Sequence, residues 1–77
     1  MIRAGFLSAI ERDELIDLAR EGSAAHRLAR RANALVLLDQ GMSCEAIAKV
    51  FLLDDDTVRT WFRLYRENGT EGLAVFG

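Results

Sequence analysis

The chain has 77 residues, half of them apolar, with ten basic and twelve acidic side chains and a formal net charge of −2. That length bounds it to one domain, 1–77, and the apolar content suffices for one core, which excludes a disordered chain. No apolar run could span a bilayer, no signal-peptide pattern opens the chain, and a single cysteine with a single histidine excludes an internal disulfide or a zinc site, so a cytoplasmic protein is expected.

Residues 1–7 form a short lead-in whose Phe6 and Leu7 should pack onto the core. Ser8 followed by Glu11 matches a capping box, in which each side chain satisfies the other residue's backbone N–H, and predicts a first helix over 9–21. Leu15, Ile16, Leu18 and Ala19 supply its apolar face, and Glu11, Asp13, Glu14 and Asp17 its solvated one. Gly22 should end it. Ser23 can then cap a second helix over 24–40, with Gly41 as its stop. This helix is basic at its start (Arg27, Arg30, Arg31) and almost wholly apolar over 34–38, which places its end at the centre of the domain. Cations at a helix start oppose the helix dipole. Either they serve a ligand or they pair with Glu21 or Asp17. His26, among these arginines, is expected to be exposed or near a phosphate.

The stretch 43–68 organises the rest. Ser43 is a good N-cap for a third helix over 44–51, in which Ala46, Ile47 and Val50 form a small apolar face and Ala46 and Ala48 allow a close crossing. Asp54 can cap a fourth helix over 55–68, with Asp55 and Asp56 favourable beside its positive end. There Val58, Trp61, Phe62 and Tyr65 recur at the spacing of a buried stripe. Arg59, Thr60, Arg63 and Arg66 lie opposite. A short capped helix, a tight turn and a helix with an aromatic face and an arginine face suit a helix-turn-helix whose last helix enters a DNA groove. A plain helical bundle with a solvated outer face gives the same pattern. The tail 69–77 is too short for an element of its own, and its Leu73, Val75 and Phe76 either fold back or mark a cut chain. With no proline and no alternating strand pattern, the fold expected is all-α with about four helices.

Chemistry is sparse. There is no glycine-rich phosphate loop, no His/Cys/carboxylate cluster at metal spacing, and no nucleophile beside a base. An enzyme, a cofactor, a metal and a small-molecule substrate are therefore not expected. Capping explains Asp54, Asp55 and Asp56 without a cation. Cys44, next to the cap, is expected to be partly exposed.

Five motifs then fall in order: Arg30-Arg31, Gly41-Met42-Ser43, Glu45-Ala46-Ile47-Ala48, Thr57-Val58-Arg59-Thr60-Trp61 and Gly69-Thr70-Glu71-Gly72-Leu73. With them, residues 30–73 resemble the N-terminal helix-turn-helix of bacterial insertion-sequence transposases of the mariner-like group. The resemblance implies a homeodomain-like fold that binds the terminal inverted repeats of a transposon. It also implies that a separate RNase H-like domain, absent here, cuts and joins the DNA, so the chain looks like a fragment or a partial gene product. Two stretches depart from the family. Leu52-Leu53-Asp54 stands where Gly, an apolar residue and Ser are usual, and Asp55 and Asp56 open a helix whose first residues are often basic or neutral. Leu52 must either accept a positive φ or use another turn.

The expectation is thus sequence-specific binding of double-stranded DNA. Arg59, Thr60 and Arg63 would reach base edges, with Asp56 a cytosine reader or a repeller of phosphate. Arg27, Arg30, Arg31, Ser43 and Arg66 would hold phosphates. Residues 1–22 carry three arginines against five acids, while 23–77 carry seven basic against seven acidic residues. The binding half is therefore neutral, unlike the strongly basic domains common among nucleic-acid binders. The alternatives are a stand-alone transcription regulator using the same surface, and a protein-interaction module that dimerises through the first helix and the apolar tail.

Overall fold

A computed structural model describes residues 2–20 and 26–75, with the backbone alone at His26 and Val75. The chain forms α1 (Ala9–Arg20), α2 (His26–Asp39), α3 (Cys44–Phe51), α4 (Asp55–Asn68) and α5 (Thr70–Val75), with no strand among the described residues. None of these helices is long and apolar enough to cross a membrane.

The capping box forms as expected. Ser8 N–H donates to Glu11 Oε1 at 2.9 Å and Glu11 N–H donates to Ser8 Oγ at 3.1 Å. The Ser8 N–H, foremost, holds the Glu11 carboxyl below its ordinary pKa. Leu15 of α1 is fully buried, and Ile16, Leu18 and Ala19 pack around it at the edge of the core. Leu7 is buried as well. The predicted stop at Gly22, cap at Ser23 and pairing partner Glu21 lie outside the described residues.

α2 is the central helix. Ala32, Ala34, Leu35, Val36 and Leu38 are all buried, and α2 packs along α1 and touches α3, α4 and α5. It ends at Gly41, whose φ of +107° is open to glycine, with Gly41 N–H on the Leu38 carbonyl and Met42 N–H on the Leu37 carbonyl.

α3 starts as expected, with Ser43 Oγ accepting Ala46 N–H at 3.0 Å, but its inward face is a correction. Cys44, Ile47 and Ala48 are buried and Phe51 is half-buried, whereas Ala46 and Val50 are exposed. The set 44, 47, 48 and 51 is a complete i, i+3, i+4, i+7 stripe ending on a large aromatic ring, and it buries more apolar area than 46, 47 and 50 could. Cys44 is therefore in the core rather than partly exposed, and burial pushes its thiol pKa up.

The turn into α4 takes the first of the two routes open to it. Leu52 adopts the left-handed conformation (φ 59°, ψ 47°) with its side chain 90% exposed, while Leu53 N–H reaches back to the Ala48 carbonyl at 2.8 Å. A residue with a Cβ in this region costs roughly 1–2 kcal/mol. Asp54 sits at the N-cap with extended backbone, yet its side chain makes no capping bond. Its backbone carbonyl accepts Thr57 N–H instead, at 3.0 Å.

Val58, Trp61 and Tyr65 of α4 are buried, and Phe62 is half-buried against Phe6 in an edge-on pair with ring centroids 4.9 Å apart. The tail corrects a second expectation. Residues 70–75 form α5, and Leu73 is fully buried. A Cβ on Gly72 would run into the backbone carbonyl of Leu64, so glycine is what allows α5 to lie flat on α4. The side chain of Val75 and all of Phe76 lie outside the described residues.

Candidate nucleic-acid interface

With Val58, Trp61 and Tyr65 turned inward, helical periodicity sends Asp56, Arg59, Thr60, Arg63, Arg66 and Glu67 to the solvent side of α4. All but Thr60, which is half-buried, are exposed. The five α4 positions expected from sequence to meet DNA thus share one helix surface, and the aromatic stripe behind them fixes its orientation.

The two halves of this surface differ in charge. At the N-terminal end, Arg59 Nη1 donates to Asp55 Oδ2 and, at 3.3 Å, to Asp56 Oδ1. Its guanidinium draws the Asp55 carboxyl below the usual range, and Asp55 in return raises the pKa of Arg59. The Asp56 side chain is 92% exposed, and Thr60 Oγ1 donates to the Asp56 backbone carbonyl at 2.9 Å. One cation bracketed by two carboxylates leaves this end net negative. At the C-terminal end, Arg63 and Arg66 line one groove with Glu67, Arg66 is also within electrostatic reach of Glu11, and its guanidinium lies 5.7 Å from the centre of the Phe62 ring. The exposed Ser43 hydroxyl accepts an N–H as a cap and keeps its own proton for an acceptor such as phosphate.

The basic pair of α2 behaves differently from expectation. Arg31 is only 5% exposed. Its Nη1 donates to the Leu73 carbonyl at 2.7 Å and its guanidinium lies over the Trp61 ring. Burial, and next the charge of Arg27, lower its pKa. Its expected phosphate contact is therefore corrected: the head group is enclosed between α2, α4 and α5. Arg30 is half-buried, with Nη2 donating to the Phe51 carbonyl at 3.0 Å and the guanidinium over the Phe51 ring. A cation at the last carbonyls of α3 matches the helix dipole. The sequence held a signal for Arg31, since Leu28, Arg31, Leu35 and Leu38 share one face of α2. Arg27 is exposed, and the His26 side chain lies outside the described residues.

One contributor lies far from the motifs. The exposed Arg3 borders the same groove as Arg63 and Arg66. No local pattern brings it there, because the approach depends on how the lead-in folds over α4.

A family model for a homeodomain-like domain matches residues 25–74, a span that holds α2, α3, α4 and nearly all of α5 and leaves out the lead-in and α1. No curated protein and no solved structure matches the chain.

Proposed function

Because the chain belongs to the homeodomain-like helix-turn-helix family, we propose that it binds duplex DNA in a sequence-specific manner, with α4 in the major groove. The observation that carries this reading is the outer surface of α4. Arg59 and Arg63 are exposed and the half-buried Thr60 lies on the same outer surface, on the helix that follows the Ser43-capped α3. In this reading Arg63 and Thr60 meet base edges, joined by Arg59 once it leaves its carboxylates, since an arginine can bond a guanine edge bidentately. Arg66, Arg27 and Ser43 hold phosphates, and Arg30 adds the guanidinium N–H groups not given to Phe51.

The target we propose is the terminal inverted repeat of a mobile element. The motifs of residues 41–73, in the order found among mariner-like transposases, support it. Here the domain supplies recognition without chemistry, and strand cutting belongs to a catalytic domain of the transposase. A random-sequence duplex pool, taken through rounds of binding to this chain and sequenced, tests the proposal. One enriched motif, matching inverted repeats that flank the encoding gene, is the expected result. A motif unrelated to such repeats points to an operator-binding regulator, and no enrichment contradicts sequence-specific recognition.

A further inference from the structure

The lead-in to α1 is pinned rather than loose. Asp39, buried at the end of α2, accepts Leu7 N–H on Oδ1 at 2.9 Å and Arg12 Nε on Oδ2 at 3.1 Å, while its backbone carbonyl accepts Gly5 N–H at 2.9 Å. One acidic residue thus fixes three points of the N-terminal region. Phe6 then meets Phe62 edge-on, their ring planes 85° apart, which sets the segment against the flank of α4.

Between the two lies an open groove of about 810 Å³, bordered by Arg3 on one side and by Phe62, Arg63, Arg66 and Glu67 on the other. The groove is lined by three guanidinium groups and one carboxylate, with Glu11 beyond the lining within electrostatic reach of Arg66. Among the described residues neither Arg3 nor Arg63 forms an ion pair. This is the reverse of the N-terminal end of α4, where Arg59 is held by two acids. The surplus positive charge of the surface therefore sits at this groove, and it calls for an anion.

We infer that this groove is a phosphate seat. It receives the sugar–phosphate strand bordering the duplex groove that α4 enters, with Arg3 as a DNA contact supplied from outside the shared domain. The inference rests on the duplex-binding reading and adds to it a residue and a ligand atom. A guanidinium presents planar N–H forks that match a phosphate's oxygens, and Ala4 and Gly5 keep the neighbouring rim low. Phosphate contacts of this kind fix register without reading sequence. Arg3 thus offsets the carboxylates at the other end of α4 without changing which bases are read. Arg3 lies outside the matched span 25–74, so the family model does not itself describe this contact.

The test compares the full chain with Arg3→Ala on a fixed duplex across a salt series, with thermal unfolding of both proteins. The variant should melt as the wild type does, because Arg3 is exposed. Its log–log salt slope should be shallower by about 0.9, the value for one phosphate contact. A fourfold rise in salt should then weaken the variant roughly three- to fourfold less than the wild type. Arg3→Lys should keep the slope, and Glu67→Gln should tighten binding to all duplexes alike. An unchanged slope in Arg3→Ala overturns the inference while leaving duplex binding intact. So does a change of preference at a single base pair, which would make Arg3 a base reader. Failure of the wild-type chain to bind any duplex overturns the duplex reading and the phosphate seat together.

Discussion

Arg31 in α2 donates to the backbone carbonyl of Leu73 in α5, 42 residues later in the chain. A side chain that composition would send to solvent is thereby used to hold the last described helix against the core, with its guanidinium over the Trp61 ring. Hydrogen bonds from charged groups contribute roughly 1.5–3 kcal/mol. Arg31→Met, which keeps the apolar stem, should lower unfolding free energy by about that amount in a urea titration and leave the salt slope of DNA binding unchanged. A shallower slope with unchanged stability would return Arg31 to the phosphate contacts.

Leu52 is a second departure from local preference. Its left-handed backbone is unfavourable by roughly 1–2 kcal/mol for a residue with a Cβ, and its side chain, almost fully exposed, recovers little by packing. Glycine would remove the strain but add unfolded-state entropy of roughly 0.5–1 kcal/mol. Leu52→Gly should therefore stabilise the domain by up to about 1 kcal/mol, read as a higher urea midpoint with an unchanged m-value. A loss of stability would mean that Leu52 makes a contact which offsets its backbone.

Tyr65 is the chain's single tyrosine, so absorbance reports its ionisation directly. Burial, then the charges of Glu11 and Glu14, push its pKa up to about 12. A folded value above the unfolded one means that the fold favours the neutral phenol. The resulting stability is fully present below the unfolded pKa of about 10 and is lost as pH rises towards 12. The amount at stake is about 2–3 kcal/mol. Tyrosinate should appear near pH 12 in the folded protein, and Tyr65→Phe should flatten the stability profile between pH 10 and 12. An ordinary titration near pH 10 would contradict the buried placement.

Asp56 bears on recognition. Its side chain is almost fully exposed, and Arg59 keeps its bond to Asp55 without it. Asp56→Asn should leave folding unchanged while removing a negative charge from the face proposed to meet DNA. The expected result is tighter binding to every duplex alike, measured on a panel differing at single positions. A preference shifted at one base pair by about 1–3 kcal/mol would instead make Asp56 a cytosine reader. Unchanged affinity throughout would place this face away from DNA.

Much of this was legible in the sequence because it is local. The Ser8–Glu11 box, the Ser43 cap, the Gly41 stop and the inward Val58, Trp61 and Tyr65 are all set by spacings within a turn or two of helix. What escaped depends on tertiary neighbours. The short α5 forms because Gly72 lets it lie on α4 and Arg31 takes up one of its carbonyls. Arg31 reads as a surface cation until the carbonyl it serves is known, although its register with Leu28, Leu35 and Leu38 pointed inward. The rotation of α3 follows Phe51, whose weight on the buried side exceeds that of Val50. Arg3 reaches the candidate interface only through the anchoring of the lead-in on Asp39.

The most direct measurement of the central claim is the anisotropy of a labelled duplex, taken from the selected pool, titrated with the wild-type chain over a range of salt concentrations. With Arg3, Arg27, Arg30 and Arg66 as phosphate contacts, association should weaken with a log–log slope between about −3 and −4, at about −0.9 for each contact. A competitor duplex of scrambled sequence should displace the selected one poorly. No association with any duplex at low salt would contradict the claim and leave the exposed apolar pair Val50 and Leu52 at the α3–α4 corner as the mark of a protein-interaction module.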